Sequence, residues 1–243
     1  MSEASKAIVH LNITERIATI VMDDGKSNVV SLQMLRQLNE ALDQAEQANA
    51  VVVLTGRDDL FCAGFDLKVL KHGVLDAFNM LIGGFKLSRR LLAFPTPVII
   101  ACSGHAMAMG SFLLLSGDYR IGADGDYKIA ANEVAIGLTM PYSAIVICRQ
   151  RLKPGHFDRA VLMSEVHNPQ SAVDAGFLDR VVNKDALMDQ ALELAGDYAQ
   201  SLDAKAHRNS KRRMRRKLLR QLSLAIWADR FNFVWQGVRR LPG

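Results

Sequence analysis

Two runs of five residues limit what this chain can become. Val51 to Thr55 and Val98 to Cys102 are apolar almost without interruption. A strand with one wet face alternates apolar and polar residues. A continuous run of this length reads instead as a strand covered on both faces, as in parallel sheets packed under helices. The segments around the two runs agree. Ala7 to Asp23 reads as two strands with a turn near Thr14-Glu15-Arg16, the second rich in Ile, Thr and Val. Ser31 is placed to cap a helix whose Leu35, Leu38, Leu42 and Ala45 recur at helical spacing. Leu60 to Leu67 reads as a glycine-interrupted loop entering a helix. A long helix spans about Gly73 to Ala93, stopped by Pro95 and Pro97.

The alternation then tightens. Gly110 to Ser116, Tyr142 to Arg151 and Gly155 to Ser164 read as helices. Asp118 to Ala123 and Tyr127 to Ile129 read as strands, and Val173 to Val182 as a short helix and a strand. From about Lys184 the pattern is helical to the end, with Met214, Leu218 and Leu222 as its apolar stripe. Strand–helix alternation of this kind argues an α/β fold with a helical C-terminal appendage. A chain of 243 residues can bury one large core, so length alone calls for no division. No apolar run reaches a membrane span, and the first residues, Met-Ser-Glu-Ala-Ser-Lys, carry no apolar signal core. Cys62, Cys102 and Cys148 have no metal spacing and cannot all pair. A reduced, cytoplasmic protein is the expectation.

Two segments share a chemical logic. In Phe61-Cys62-Ala63-Gly64-Phe65-Asp66-Leu67-Lys68 a glycine stands where a loop turns into a helix. In Ser103-Gly104-His105-Ala106-Met107-Ala108-Met109-Gly110-Ser111 small residues follow a buried strand and open another helix. Helix N-termini present free N–H groups and the positive end of the helix dipole. Two that converge can receive a developing negative charge on oxygen.

With Pro97-Val98-Ile99-Ile100-Ala101, Gly117-Asp118-Tyr119-Arg120-Ile121, Asn132-Glu133-Val134-Ala135-Ile136-Gly137 and Ala172 to Val182, these segments resemble, in order and spacing, the crotonase or enoyl-CoA hydratase/isomerase superfamily. The resemblance runs from about Ile8 to Val182. It implies a spiral of ββα turns over residues 1–183 that carries the coenzyme A thioester site, followed by a helical trimerisation region over 184–243. It further implies a homo-trimer or a dimer of trimers acting on an acyl-CoA thioester. The backbone N–H groups of Phe65 and Met109 map onto the family's oxyanion hole. Ala63, Asp66, Lys68, Phe112 and Tyr142 map onto substrate-binding positions, with Lys68 towards the nucleotide end of coenzyme A. The family usually has glycine where Met109 stands. A positive φ there would strain this chain; the expectation is a tolerable backbone with the methionine side chain lining or narrowing the acyl pocket, and Gly110 N–H is the alternative donor.

The family's hydratases carry two glutamates that hold and activate a water. One maps to Glu133; the other maps to Phe112, whose ring can neither bind nor deprotonate water. A single carboxylate suits a double-bond shift, with Glu133 taking a proton from C2 of a 3-enoyl-CoA and returning it at C4. The resemblance therefore implies an enoyl-CoA isomerase, with an enoyl-CoA hydratase as the alternative. No metal, flavin or nicotinamide is expected, because coenzyme A is part of the substrate. His105 is read as structural, and His10, His72, His156, His167 and His207 show no metal spacing.

Charge is uneven. The net charge is +5, yet Lys205 to Arg220 holds nine Lys or Arg and no acid; without them the remainder stands at −4. Arg212, Arg213, Arg215, Arg216 and Lys217 fall on the predicted helix, and such a tail suits an anionic partner. The resemblance implies the coenzyme A phosphates of a neighbouring subunit. RNA binding and a non-catalytic acyl-CoA binder are the alternatives of another class. Trp227 and Trp235 lie beyond the charge run, so no stacking platform for nucleic acid is evident.

Overall fold

The computed structural model describes residues 6–72 and 74–239. The expected helix start at Gly73 and the segment Met1-Ser2-Glu3-Ala4-Ser5 lie outside the described residues, as do the side chains of His72 and Trp235. The chain opens with β1 (Val9–Thr14), β2 (Ile17–Met22) and α1 (Leu32–Gln47), then β3 (Val51–Thr55), β4 (Asp59–Cys62), α2 (Leu67–His72) and α3 (Val74–Ala93). It continues through β5 (Val98–Cys102), β6 (Gly104–Met107), α4 (Met109–Leu115), β7 (Tyr119–Ala123) and β8 (Ile129–Ala130). A 3-10 turn over Val134–Ile136 leads to α5 (Tyr142–Arg151), α6 (Pro154–Met163), α7 (Pro169–Ala175), β9 (Arg180–Val182), α8 (Leu187–Ser201) and α9 (Ala204–Arg239).

The unit that repeats is two strands and then a helix. β1, β2, β3, β5, β7 and β9 form one six-stranded sheet in that order, antiparallel only between β1 and β2. After β3, β5 and β7 the chain adds one short strand to a second sheet, ordered β4-β6-β8 and parallel throughout. β4 and β6 were not read as strands from the sequence. They are four residues long and built of residues such as Asp, Gly, His and Ala, which carry little strand preference.

The two apolar runs are covered on both faces. Val52, Leu54, Val98 and Ile100 point into the main core with Met34, Leu38 and Phe85. Val51, Val53, Ile99 and Ala101 point the other way, against Leu187, Ala191 and Ala195 of α8. Ser31 caps α1 through its side-chain oxygen, which accepts from Met34 N–H at 3.1 Å. Two motif segments lock the C-terminal half in place. Arg120 is buried and donates Nε and a terminal nitrogen to the Asp179 carboxylate, clamping β7 to the turn before β9. Asp118 receives Lys211 at 2.6 Å and Arg215 at 2.7 Å, both from α9 and both buried.

That last contact corrects the reading of the tail. The stripe of α9 that faces the protein is Lys211, Arg215, Leu218 and Leu222, whereas Met214 is 71% exposed. Arg215 is therefore committed to Asp118 and to the Leu92 carbonyl, and is not available to a phosphate. Among the described residues, no helix is long and apolar enough to cross a membrane.

Candidate active site

Parallel pairing brings three chain exits to one edge. β4 runs beside β6 with Cys62 opposite Ala106, and β6 runs beside β8 with Met107 opposite Ala130. The residues that leave these strands are therefore neighbours: Ala63 to Phe65, Ala108 to Met109, and Ala131 to Glu133. The carboxyl ends of parallel strands are where open α/β sheets bind ligands.

The first two exits touch. Gly64 has φ +105°, and a Cβ there would stand 2.9 Å from Ala108 Cβ and 3.2 Å from the Met107 carbonyl oxygen. Only glycine permits that approach. Its carbonyl accepts from Val30 N–H at 2.8 Å, which holds the loop across the start of α1. Gly110 is equally constrained, since a Cβ would meet the Cys62 carbonyl oxygen at 2.2 Å. Met109 opens α4, so its N–H has no acceptor within the helix.

The backbone at Met109 is tolerable, as expected, and the strained residue is the one before it. Ala108 has φ +48° and ψ −122°, a conformation that costs a residue with a Cβ about 1–3 kcal/mol. The surroundings over-determine it. Ala108 N–H donates to the Ala130 carbonyl, and its own carbonyl accepts from the N–H groups of Ser111 and Phe112 and from the Ser111 hydroxyl. Met109 itself is helical and fully buried, and its Cε lies with the Phe65 ring beside Gly84 of α3. Replacing Ala108 with glycine is expected to raise unfolding stability by about 1 kcal/mol, the strain less the entropy glycine adds to the unfolded chain. Thermal unfolding of the two proteins measures it.

Glu133 is 5% exposed. It precedes the 3-10 turn, and Ala135 N–H in that turn donates to the Ser164 hydroxyl at 3.1 Å. Its Oε2 has no hydrogen-bond partner among the described residues, and neither has the buried Oδ1 of half-buried Asn132. Burial pushes its carboxyl up to about 7. A group poised there can both accept and return a proton near neutral pH. The Cys148 thiol of α5 is pushed far upward by burial and by the nearby Glu133 charge, and Cys62 and Cys102 are pushed up to about 12 by burial. None of the three is a thiolate nucleophile at neutral pH.

Phe112 is fully buried, in a chain of rings with Phe85 and Phe65 at centroid separations of 6.0 and 6.2 Å. The other expected residues scatter more. Asp66 accepts from Lys68 N–H at 2.9 Å, the local contact of a helix-start acid, and the Lys68 side chain is exposed. Ala63 N–H donates to the Ser27 carbonyl. Tyr142 is half exposed at the start of α5, its N–H donating to Asp229 of α9. His105 accepts from Lys128 N–H through Nδ1 and meets the Tyr127 ring edge-on, which is a packing role. Asn132 belongs to the motif that carries Glu133. Ser164 and Cys148, the other polar neighbours of the Glu133 turn, lie 31 and 15 residues further along the chain and form no motif with it.

Comparison with known proteins agrees with this architecture. Residues 12–236 match the family model described as enoyl-CoA hydratase/isomerase. An enoyl-CoA hydratase/isomerase family protein from Pseudomonas syringae is 40% identical, covers 93% of this chain and 98% of its own, and superposes with a TM-score of 0.91. Human mitochondrial Δ3,Δ2-enoyl-CoA isomerase is 25% identical over 94% of this chain and 91% of its own, with a TM-score of 0.88. Carnitinyl-CoA dehydratase of Proteus mirabilis is 29% identical over 196 residues, which is 79% of this chain and 75% of that protein.

Proposed function

The chain belongs to the enoyl-CoA hydratase/isomerase family, and from that premise we propose that it is an enoyl-CoA isomerase, moving a C3–C4 double bond to C2–C3 with Glu133 as the single acid–base group. The observation that carries the reading is the pairing of a lone buried carboxylate with a phenylalanine. Glu133 is poised near neutral, while Phe112, where a second glutamate would stand, is sealed in a stack of rings.

In this mechanism the thioester oxygen of a 3-enoyl-CoA accepts hydrogen bonds from the backbone N–H groups of Phe65 and Met109. Glu133 takes a proton from C2, which the carbonyl acidifies. The C–H electron pair becomes a dienolate whose negative oxygen the two N–H groups stabilise. Each such donor is worth about 100- to 1000-fold in rate. The protonated Glu133 then delivers the same proton to C4, the C2–C3 double bond forms and the carbonyl is restored. Atoms and electrons balance with no water, oxidant or metal consumed. Apolar walls such as Phe112 and Phe85 keep water from intercepting the dienolate.

Assembly into a trimer or a dimer of trimers belongs to the same proposal. α9 leaves Leu224, Trp227 and Phe231 exposed on its surface, as an unfilled helix interface would. Arg208, Arg212 and Arg230 border a groove of about 580 Å³ beside Trp227, and supply the positive charge proposed for coenzyme A phosphates of a neighbouring subunit. A cytoplasmic location is part of this reading.

A hydratase or dehydratase is the second reading. Its support is the unpartnered Asn132 Oδ1 next to Glu133, where a water could bind, together with the dehydratase likeness. A spectrophotometric panel separates the two. Rapid conversion of 3-enoyl-CoA with slow hydration of 2-enoyl-CoA is expected; the opposite ranking would overturn the isomerase. Because the free enzyme must present a carboxylate, kcat/KM should rise with pH through about 7 and level off above it. Absence of turnover with both substrates would leave a non-catalytic acyl-CoA binder.

A further inference from the structure

The histidines show no metal spacing along the chain, yet the fold gathers two of them with a carboxylate. Pro154 opens α6 and puts His156 in its first turn. The helix ends at Met163, and Ser164 takes a left-handed φ of +52° that turns the chain back. Glu165 N–H then donates to the Arg159 carbonyl, and His167 pairs antiparallel with Ile129 through hydrogen bonds of 2.9 and 3.0 Å. In extended chain, residues two apart point to the same side. Glu165 and His167 accordingly both face His156.

One ligand atom from each of His156, Glu165 and His167 lies within 4.8 Å of the other two. His167 Nε2 stands 3.5 Å from Glu165 Oε2, and His156 Nδ1 stands 3.9 Å from the same oxygen. A tetrahedral zinc ion with bonds of about 2.0–2.1 Å needs ligand atoms about 3.3–3.4 Å apart, so the two edges to Glu165 need to shorten by about half an ångström or less, and the edge between the histidines, which lies within 4.8 Å, closes by rotation of the partly exposed His156. A second observation points the same way. His167 is 3% exposed, and its Nε2 has no hydrogen-bond partner among the described residues. Such a buried nitrogen normally finds a partner.

The guanidinium of Arg159 now fills part of the space. Its Nε donates to Glu165 Oε2 at 3.0 Å, and a terminal nitrogen lies 3.0 Å from His156 Nδ1. It reaches two of the three groups and leaves His167 unsatisfied. Its side chain is 49% exposed, so it can swing into solvent. We propose that His156, Glu165 and His167 form a binding site for a divalent transition metal of the zinc class, with water as fourth ligand and Arg159 as the cation that the metal displaces. Two imidazoles and one carboxylate suit zinc and cobalt rather than magnesium or calcium. The site lies outside the proposed acid–base chemistry but is joined to it, because Ser164 holds the turn that follows Glu133.

The test is equilibrium dialysis of untagged full-length protein against Co²⁺ and Zn²⁺, with the visible d–d absorption of bound Co²⁺ as a geometric readout. One metal per chain is expected, with the intense absorption of a tetrahedral site. Glu165→Gln and His156→Ala change partly exposed groups, so both variants should fold. Each should weaken Co²⁺ binding by more than about 100-fold, beyond the 10- to 100-fold typical of outer-shell groups. Arg159→Ala should tighten it. His10→Ala is the control and should change nothing. Less than one ion per chain at saturating Co²⁺, or binding equal in Glu165→Gln and the unaltered protein, overturns the site.

Discussion

Glu133→Gln is expected to abolish double-bond isomerisation while making the protein harder to unfold above neutral pH. Glutamine keeps the shape of glutamate and cannot take a proton from carbon. General acid–base catalysis contributes about 10²- to 10⁴-fold, and here one group serves both proton transfers, so the loss in kcat should reach the upper end of that range. The stability change has the opposite sign, which makes the test selective. A carboxyl raised from an ordinary value near 4.5 to about 7 binds protons more tightly in the folded protein than in the unfolded chain. Below pH 4 both states are protonated and the group is neutral in the balance. Between the two values stability falls as pH rises, and above about 7 the folded protein carries the full cost of a buried charge. That cost is on the order of 3 kcal/mol, at about 1.36 kcal/mol per pKa unit. Glutamine removes it. The gain in unfolding free energy should therefore be near zero at pH 4 and largest at pH 8, measured by urea unfolding across that range. A variant that keeps its turnover would take Glu133 out of the mechanism. One that loses turnover and also loses stability at pH 8 would mean that the side chain is held for packing.

How far the sequence carried these points differs by residue. The two apolar runs announced the large parallel sheet because burial on both faces leaves a direct mark on composition. The small sheet left no such mark. β4 and β6 hold four residues each, and their strand geometry comes from neighbours rather than from propensity; β8, expected over Tyr127 to Ile129, falls at Ile129–Ala130. Yet that sheet is what lines up the exits carrying Phe65, Met109 and Glu133. Motif order supplied the residues, and the register of short parallel strands supplies their adjacency. The strain at Ala108 was not legible, because sequence shows only that a glycine position is filled at Met109, and the dihedrals are needed to show that Ala108 takes the positive φ. The burial of Glu133 was equally hidden. Its neighbours Val134 and Ile136 are themselves exposed, so no local apolar pattern surrounds it. The groups found around its turn, Cys148 of α5 and the Ser164 turn after α6, lie 15 and 31 residues further along the chain.

The tail teaches the reverse lesson, and yields the second large effect. Nine cations without an acid read as a tail for an anionic partner, but helical period puts Lys211 and Arg215 on the stripe shared with Leu218 and Leu222. They are satisfied inside by Asp118, by the Thr96 and Leu92 carbonyls, and indirectly by Val98 N–H, which donates to the same carboxylate. Burial outweighs the Asp118 attraction for Lys211 and brings its ammonium down to about 8. A cluster of this kind adds little net stability when complete, because desolvation offsets attraction. Breaking it by removing one partner is another matter. Asp118→Ala is expected to cost about 3–5 kcal/mol, since it strands two buried cations and frees the N–H that begins β5. Pairing it with Lys211→Met and Arg215→Met should recover most of that loss by removing the orphaned charges. Urea unfolding of the single and triple variants decides it: a loss under about 1 kcal/mol in Asp118→Ala, or no recovery in the triple variant, would show that the cluster does not anchor α9. The same anchor bears on ligand choice. With Lys211 and Arg215 committed to Asp118, the outward cations of the run are Lys205, Arg208, Arg212, Arg213, Arg216, Lys217 and Arg220, so seven charges rather than nine face any phosphate partner.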